Sequence, residues 1–477
     1  MPSNQTNGHT NRRQFLQAGA VGAGATLLGR DVAAAQAPAL SKSKRPNVLM
    51  VICDQLGLDA IGAHGCPDVH TPNLDRLVRR GTTFTESHST SPVCSPARSS
   101  LMTGRMPVET GVISNGRPIH PSCPTIGHRL ADAGYASVYC GKWHLPGAVP
   151  RPQDGFRVLP ARGGQGDLDD TVVSHTCEAY LKGRSRDKPY LLVASFLQPH
   201  DICFWGNHVG NRMPDKLAFE QIRDRLPELP PNNKSRPPAP KKLDAIVCDR
   251  FNDEQWRYYL YIYARMVEML DADVGRVLRA VEQTGEADNT VILFTSDHGD
   301  GRGRHSHVSK WYPYEESVKV PMIVSCPGRI AEGRRDDAHL ISGLDVMSTL
   351  CDYAGVDPPE HGQGRSLRPL LQQKPVEWRE YVSSEHHIVG RMLRTAQYKY
   401  VYYEDDPVEQ LFDMKADPWE MKNLYRDAKH AGVLADHRKL LAEFQSRLRP
   451  IEPTPGPAKP RPKPRPNQQQ RPGRRTS

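Results

Sequence analysis

Asn47 to Cys53 (NVLMVIC) is a continuous apolar run, the pattern of a strand covered on both faces. Comparable short runs recur at Ala136–Tyr139, Tyr190–Phe196, Val291–Thr295 and Met322–Ser325. Between them, Trp256, Leu260, Tyr263, Met266, Leu270, Val274, Val277 and Val281 follow one another in steps of three or four, which predicts a long amphipathic helix. A shorter helix is expected after Thr71-Pro72, with Leu74, Leu77 and Val78 on one face and Gly81 closing it. Ser95 to Met102 can start another. Strands alternating with helices imply a mainly parallel sheet with helices on both faces, an α/β fold. Past residue 380 the texture changes: Arg391–Thr395 and Tyr398–Glu404 read as a hairpin, and a helix is expected around Ala431–Arg447. The expected organisation is an α/β domain over 41–375 and a small α+β subdomain with an antiparallel sheet over 376–449. The Pro-rich stretch Leu226 to Lys242 reads as a long surface loop.

Composition narrows this further. With 477 residues, the chain has room for one large α/β domain and an appendage. Hydrophobic residues at 38% and charged residues at 25% exclude a wholly disordered chain. The ten cysteines contain no Cys-x-x-Cys pair, so neither a zinc site nor a disulfide framework is expected. The net charge of +9 divides into +2 in residues 1–40, +6 in residues 450–477 and +1 in the body. A nearly neutral body gives no reason to expect a nucleic-acid partner. The ends account for the rest. Arg12-Arg13 precedes a weakly apolar run, Ala18 to Leu28, and the small residues Ala33-Ala34-Ala35, so residues 1–40 read as a twin-arginine export signal. The product is expected in the periplasm or outside the cell, brought there by the twin-arginine export machinery. No segment offers 18 apolar residues, so stable membrane insertion is not expected. Residues 450–477 are Pro- and Arg-rich without apolar period and read as a disordered tail.

In parallel α/β sheets, function collects beyond the carboxyl ends of the strands. Polar clusters stand there: Asp54-Gln55, Gly141-Lys142-Trp143-His144, Gln198-Pro199-His200-Asp201 and Ser296-Asp297-His298-Gly299. A single cluster would pass as loop decoration, but four are hard to explain that way. The sharpest motif is Cys94-Ser95-Pro96-Ala97-Arg98, a Cys-x-Pro-x-Arg pentapeptide, for which this composition allows roughly 0.1 chance occurrences. It would place Cys94 at the positive end of a helix, where anions are held.

Cys94 to Arg98, followed by Ser99-Ser100-Leu101-Met102-Thr103-Gly104-Arg105, resembles the site of the type I sulfatases in the alkaline-phosphatase superfamily. Arg45-Pro46-Asn47-Val48-Leu49 leading to Asp54, Gly141 to His144, Ser296 to Asp300, Tyr314 to Pro321, and Gln410 to Asp413 with Asp417-Pro418 and Asn423-Leu424 match in the family's order. The likeness spans about residues 45–425. It implies an alkaline-phosphatase-like fold and conversion of Cys94 to formylglycine by a formylglycine-generating maturation enzyme. One hydroxyl of the hydrated aldehyde attacks sulfur, and the second then expels sulfate, so no water need attack sulfur.

The resemblance further implies that Asp54, Gln55, Asp297 and His298, with modified Cys94, hold a divalent cation. Ca²⁺ is the family's usual ion, with Mn²⁺ or another divalent cation as alternatives. Arg98 and Lys142 would orient the modified side chain, Lys310 would reach the sulfate, and His144 would act as base for hemiacetal breakdown. His200 would contact the leaving-group oxygen. His305 and His307 compete with Lys310 for its place. Cys53 is expected to be a buried strand residue facing away from Asp54. Gln55 departs from the commoner Asp-Asp pattern, and Asp-Gln occurs in choline sulfatases and phosphonate monoester hydrolases. The expected reaction is hydrolysis of a sulfate monoester on a small molecule or, first, a glycan. The alternatives are a phosphonate monoester or phosphodiester hydrolase and a non-catalytic polyanion binder. Specificity is expected in the loops at 145–170 and 201–250.

Overall fold

The computed structural model describes residues 45–455 apart from 147–148, 152–153, 162–164, 167–169, 205–219 and 387–389. The twin-arginine segment and the tail beyond residue 455 lie outside the described residues. The strands are β1 (Asn47–Asp54), β2 (Thr82–Phe84), β3 (Ser87–His88), β4 (Ala136–Gly141), β5 (Arg157–Val158), β6 (Tyr190–Pro199) and β7 (Thr290–Ser296). They continue with β8 (Met322–Ser325), β9 (Arg334–Asp336), β10 (Ile341–Ser342), β11 (Tyr381–His386), β12 (Gly390–Thr395), β13 (Tyr398–Tyr402) and β14 (Gln410–Asp413).

Eight strands form one sheet in the order β5-β4-β6-β1-β7-β8-β2-β9. Neighbours run parallel except at β8, which is antiparallel to β7 and to β2. The continuous apolar sequence of β1 follows from its central place. Leu49, Val51 and Cys53 pack into one core with the helices Pro72–Arg79, Asp170–Gly183 and Asp253–Gln283. Val48, Met50 and Ile52 enter a second core with the helices Cys94–Thr103, Ile126–Asp132 and Asp345–Ala354. A two-residue period therefore feeds two hydrophobic layers, and no polar face is left on the strand.

The helix Pro72–Arg79 ends one residue before Gly81, at the Arg80 cap. Gly81, expected to close this helix, serves another contact: a Cβ there would lie 2.5 Å from the Val324 carbonyl on β8. Leu260, expected on the buried face of the long helix, is only half-buried.

Beyond the hairpin of β12 and β13, two further strands complete a four-stranded antiparallel sheet, β11-β12-β13-β14. Leu393, Tyr400 and Leu411 pack under Leu434 and Leu441 of the helix Ala431–Ser446. Met392, Val401 and Phe412, on the other face, pack with Tyr312, Tyr314 and Val318. Of the C-terminal tail, residues 450–455 are described, and there the Ile451 N–H donates to the Val108 carbonyl at 2.9 Å.

Register sets up the site. Gly141 of β4 pairs with Ser195 of β6, Ile52 of β1 also pairs with Ser195, and Cys53 pairs with Ser296 of β7. β4, β1 and β7 thus end at one level, and β6, which runs past Ser195, ends beside them because a register shift pairs Pro199 with Asp54. Lys142 follows β4, Asp54 closes β1, and Asp297 and His298 follow β7. Gly141 has φ +99, and a Cβ there would collide with the Ser195 carbonyl, so the turn into Lys142 needs glycine.

Candidate active site

Asp54, the last residue of β1, is fully buried, and so is Asp297 just beyond β7. Arg98, one turn into the helix Cys94–Thr103, joins them. Its Nη2 donates to Asp54 Oδ2 at 3.1 Å and its Nε to Asp297 Oδ2 at 2.7 Å. Its Nη1 donates to Ser195 Oγ at 2.9 Å and to the Lys142 carbonyl at 3.0 Å. One planar guanidinium therefore ties β1, β6 and β7 to the start of that helix, which a lysine could not do. Lys142 adds a second ion pair, Nζ to Asp54 Oδ2 at 2.5 Å.

Cys94 opens the helix among these groups. Its Sγ lies 3.1 Å from His298 Nε2 and 3.8 Å from Asp54 Oδ1. His298 Nε2 is 3.8 Å from Asp54 Oδ1 and 3.7 Å from Asp297 Oδ1, while its Nδ1 donates to the Gly299 carbonyl at 2.9 Å. That outer hydrogen bond leaves Nε2 aimed inward. One ligand atom from each of Asp54, Cys94, Asp297 and His298 lies within 4.8 Å of the others, all buried.

The charges are strongly coupled. Burial would raise Asp54, but Lys142, His200 and Arg98 outweigh it and hold the carboxyl well below the usual range. Burial and the neighbouring Asp54 push Asp297 upward. Burial and Asp54 also push the Cys94 thiol up, yet Lys310, Lys142 and His298 hold it well below its ordinary value. Burial disfavours a charged His298, but Asp297 and Cys94 raise it to about 9. An anionic pocket thus draws a proton onto His298.

The two carboxylates are the oxygen donors a hard divalent cation takes, and an oxygen in place of the soft Cys94 sulfur would extend that set. Around an ion with bonds of about 2.4 Å, neighbouring donors at right angles stand about 3.4 Å apart, close to the separations seen here. Such an ion would displace the proton on His298.

The other expected residues surround this cluster. Lys310 is buried, and its Nζ donates to Gln55 Oε1 at 2.5 Å. Burial disfavours its charge, but Cys203, Cys94 and Asp54 raise its pKa above the ordinary value. Burial and Lys310 lower His200 to about 4, so its ring is neutral, and its Nδ1 is buried without a hydrogen-bond partner among the described residues. The His144 carbonyl accepts from Ser95 Oγ, and its Nδ1 is likewise buried and unpartnered. Cys53 is buried, with Sγ donating to the Thr295 carbonyl at 3.3 Å, away from the cluster.

Gln55 stands at φ +71, its N–H donating to Asp297 Oδ1 at 3.2 Å. Its carboxamide is engaged by Lys310, Asp300 and Cys203. His305 and His307, the competitors of Lys310, turn elsewhere. His305 Nδ1 donates to the Ser235 carbonyl at 3.0 Å and its ring stacks on Tyr314, while His307 packs on Tyr312. Asp300 and Cys203 are additions that sequence reasoning missed. Asp300 is legible as the last residue of Ser296 to Asp300, whereas half-buried Cys203 carries no signal in the sequence.

A second buried group joins His305, Glu316 and Glu420 between the main body and the C-terminal sheet. Burial pushes both glutamates up to about 7, and Lys399 pairs with Glu420 and with Glu315, the latter at 3.3 Å.

Residues 46–356 match the Sulfatase family model and residues 303–447 match that of the N-sulphoglucosamine sulphohydrolase C-terminal region. Residues 9–29 match the twin-arginine translocation pathway signal sequence. The chain is similar to the Delta 4,5-hexuronate-2-O-sulfatase of Bacteroides thetaiotaomicron, 33% identical over 454 residues, 87% of this chain and 91% of that protein. It is 31% identical to the choline-sulfatase of Rhizobium meliloti over 438 residues, 80% of this chain and 82% of that protein. A 2-O GAG sulfatase of solved structure superposes with a TM-score of 0.75 at 31% identity, covering 85% of this chain and 92% of that one.

Proposed function

The chain belongs to the sulfatase family, and from that premise we propose that it hydrolyses sulfate monoesters of a sulfated glycan through formylglycine at position 94. It is a sulfatase, and its signal sequence marks it for export across the membrane. Among the described residues no helix is long and apolar enough to cross one. The observation that carries the mechanism is the convergence of Cys94 with Asp54, Asp297 and His298, drawn from three separate elements, within 4.8 Å.

In this reading Asp54, Gln55, Asp297 and His298, with modified Cys94, hold the divalent cation, Ca²⁺ first. Bound there, the cation would lower the pKa of the nucleophile and polarise the sulfate. Formylglycine would supply a hydrated aldehyde whose two hydroxyls serve attack and release. Arg98 and Lys142 hold Asp54 in its charged form, and Arg98 orients Asp297 beside it. Lys310 presents an ammonium to a sulfate oxygen. His200, neutral because burial and Lys310 lower it to about 4, offers an N–H to the leaving oxygen rather than competing with the cations for sulfate. His144, with a free buried Nδ1, takes the proton as sulfate departs.

Similarity to a hexuronate-2-O-sulfatase makes a 2-O-sulfated uronate glycan the first substrate to try. The maturation enzyme enters as the partner that oxidises Cys94. Peptide mass spectrometry of active enzyme, with turnover on sulfated oligosaccharides, aryl sulfate and aryl phosphodiester, tests the reading. An unmodified thiol in fully active protein would overturn it. Gln55 favours one second reading, a phosphonate monoester or phosphodiester hydrolase. A neutral ligand leaves more positive charge on the cation for a phosphorus-bound oxygen. Faster turnover of the phosphodiester than of every sulfate ester would establish it.

A further inference from the structure

A carboxamide that binds a cation must present oxygen rather than nitrogen, and the two ends of glutamine have the same shape. At Gln55 the neighbours are not symmetric. On one side stands Lys310, whose Nζ is 2.5 Å from Oε1 and whose charge bears on Cys203, then on Cys94, Asp54 and Asp297. An ammonium is a donor only, so this end must be oxygen. On the other side Nε2 is 2.5 Å from Asp300 Oδ2. The remaining oxygen of Asp300, Oδ1, accepts from the Arg302 N–H at 2.8 Å and the Tyr259 hydroxyl at 3.2 Å. Asp300 is therefore an acceptor on both oxygens. Cys203 Sγ lies 3.1 Å from Nε2 and 3.3 Å from Oε1, and a thiol that can donate or accept does not choose between them.

We propose that Asp300 is a positioning residue that fixes the Gln55 carboxamide, holding Nε2 to itself so that Oε1 is the atom offered to the cation site. This rests on the reading of Gln55 as a cation ligand. Reversing the amide would set NH₂ against the Lys310 ammonium and carbonyl against the Asp300 carboxylate, two repulsive contacts in a buried place. A relative with aspartate at position 55 has no such problem, since either carboxylate oxygen serves. The Asp-Gln pair thus needs a third residue, 245 positions further along the chain.

The sign of each substitution follows. In Asp300→Asn the new carbonyl takes the place of Oδ1, because the Arg302 N–H and Tyr259 hydroxyl both donate there. The new NH₂ then faces the Gln55 NH₂, so the hold on Nε2 is lost and Lys310 alone is left to orient the carboxamide. Gln55→Asp alone sets two carboxylates face to face. Combining the two changes restores a donor–acceptor contact and leaves one carboxylate oxygen inward.

The test is calorimetric titration of Ca²⁺ into the chelator-stripped full chain. Removal of an outer partner of a metal ligand typically weakens binding about 10- to 100-fold, and that loss is expected for Asp300→Asn. Gln55→Asp/Asp300→Asn is expected to bind more tightly than Gln55→Asp and to recover most of that loss. Wild-type affinity in Asp300→Asn, or no gain in the double variant over Gln55→Asp, would overturn the proposal. If Asp300→Asn does not fold, the comparison of Gln55→Asp with the double variant decides alone. Gln55→Ala separates the two levels. Wild-type affinity there removes Gln55 from the ligand set. Weakened binding there, with wild-type affinity in Asp300→Asn, keeps the ligand and rejects the positioning.

Discussion

Replacing Arg98 by glutamine removes the cation that donates hydrogen bonds to both Asp54 and Asp297, at 3.1 Å and 2.7 Å. All three side chains are essentially out of solvent, so screening does not soften the loss. Breaking a buried ion pair from one side costs about 3–5 kcal/mol, because the partner charge stays behind uncompensated. Asp54 keeps Lys142 at 2.5 Å, which places the expected loss within that range rather than at twice it. With about 2.1 cal/mol/K of unfolding entropy per residue, a chain of this size should lose roughly 3–6 °C in melting temperature. Arg98→Lys keeps the charge but cannot span two carboxylates on different strands, so its loss should fall between those of wild type and glutamine. Scanning calorimetry of purified full-length protein at one pH and one calcium concentration measures the series. A glutamine variant melting within about 1 °C of wild type, or a lysine variant equal to wild type, would refute the clamp.

Gln55→Asp should lower kcat/KM for phosphodiesters by a larger factor than for sulfate esters, measured at saturating Ca²⁺ and Mn²⁺; equal factors would mean that Gln55 acts on metal occupancy alone. Replacing Arg12 and Arg13 by lysine should leave precursor in the cytoplasm, as followed by cell fractionation, and unchanged export would refute the twin-arginine route. Glu316, at about 7 against an ordinary 4.5, binds its proton more tightly folded than unfolded. Its contribution to stability is present below pH 4.5 and is lost as pH rises to about 7, so Glu316→Gln should flatten the fall in melting temperature over that window. A parallel pH profile in the variant would show that the Glu316–Glu420 pair does not titrate there.

Much of the site is legible in the sequence because its chemistry is local. Cys94 and Arg98 are one helical turn apart, so the pentapeptide alone carries nucleophile and clamp to one place. Asp54, Lys142, His200, Asp297 and His298 each follow an apolar run, and parallel strands of similar length end at one level. What pattern could not reach were contacts between distant segments. β8 has the same apolar texture as its parallel neighbours, and only its antiparallel pairing with β7 and β2 reveals its direction. β11 (YVSSEH) carries little hydrophobic period, because its place beside β12 rests on backbone pairing.

Sequence by itself determined the two-sided burial of β1, the helix that presents Cys94 and the family of the chain, since each is written in residues near one another. The tertiary structure places Lys310, and not the histidines at 305 and 307, beside Gln55, because the backbone of 301–311 turns one cation inward and packs both imidazoles against Tyr312 and Tyr314. It also decided how Gln55 is held. An amide's orientation is chosen by the donors and acceptors that surround it, and here they come from residues 203, 300 and 310, brought to the end of β1 only by the folded sheet.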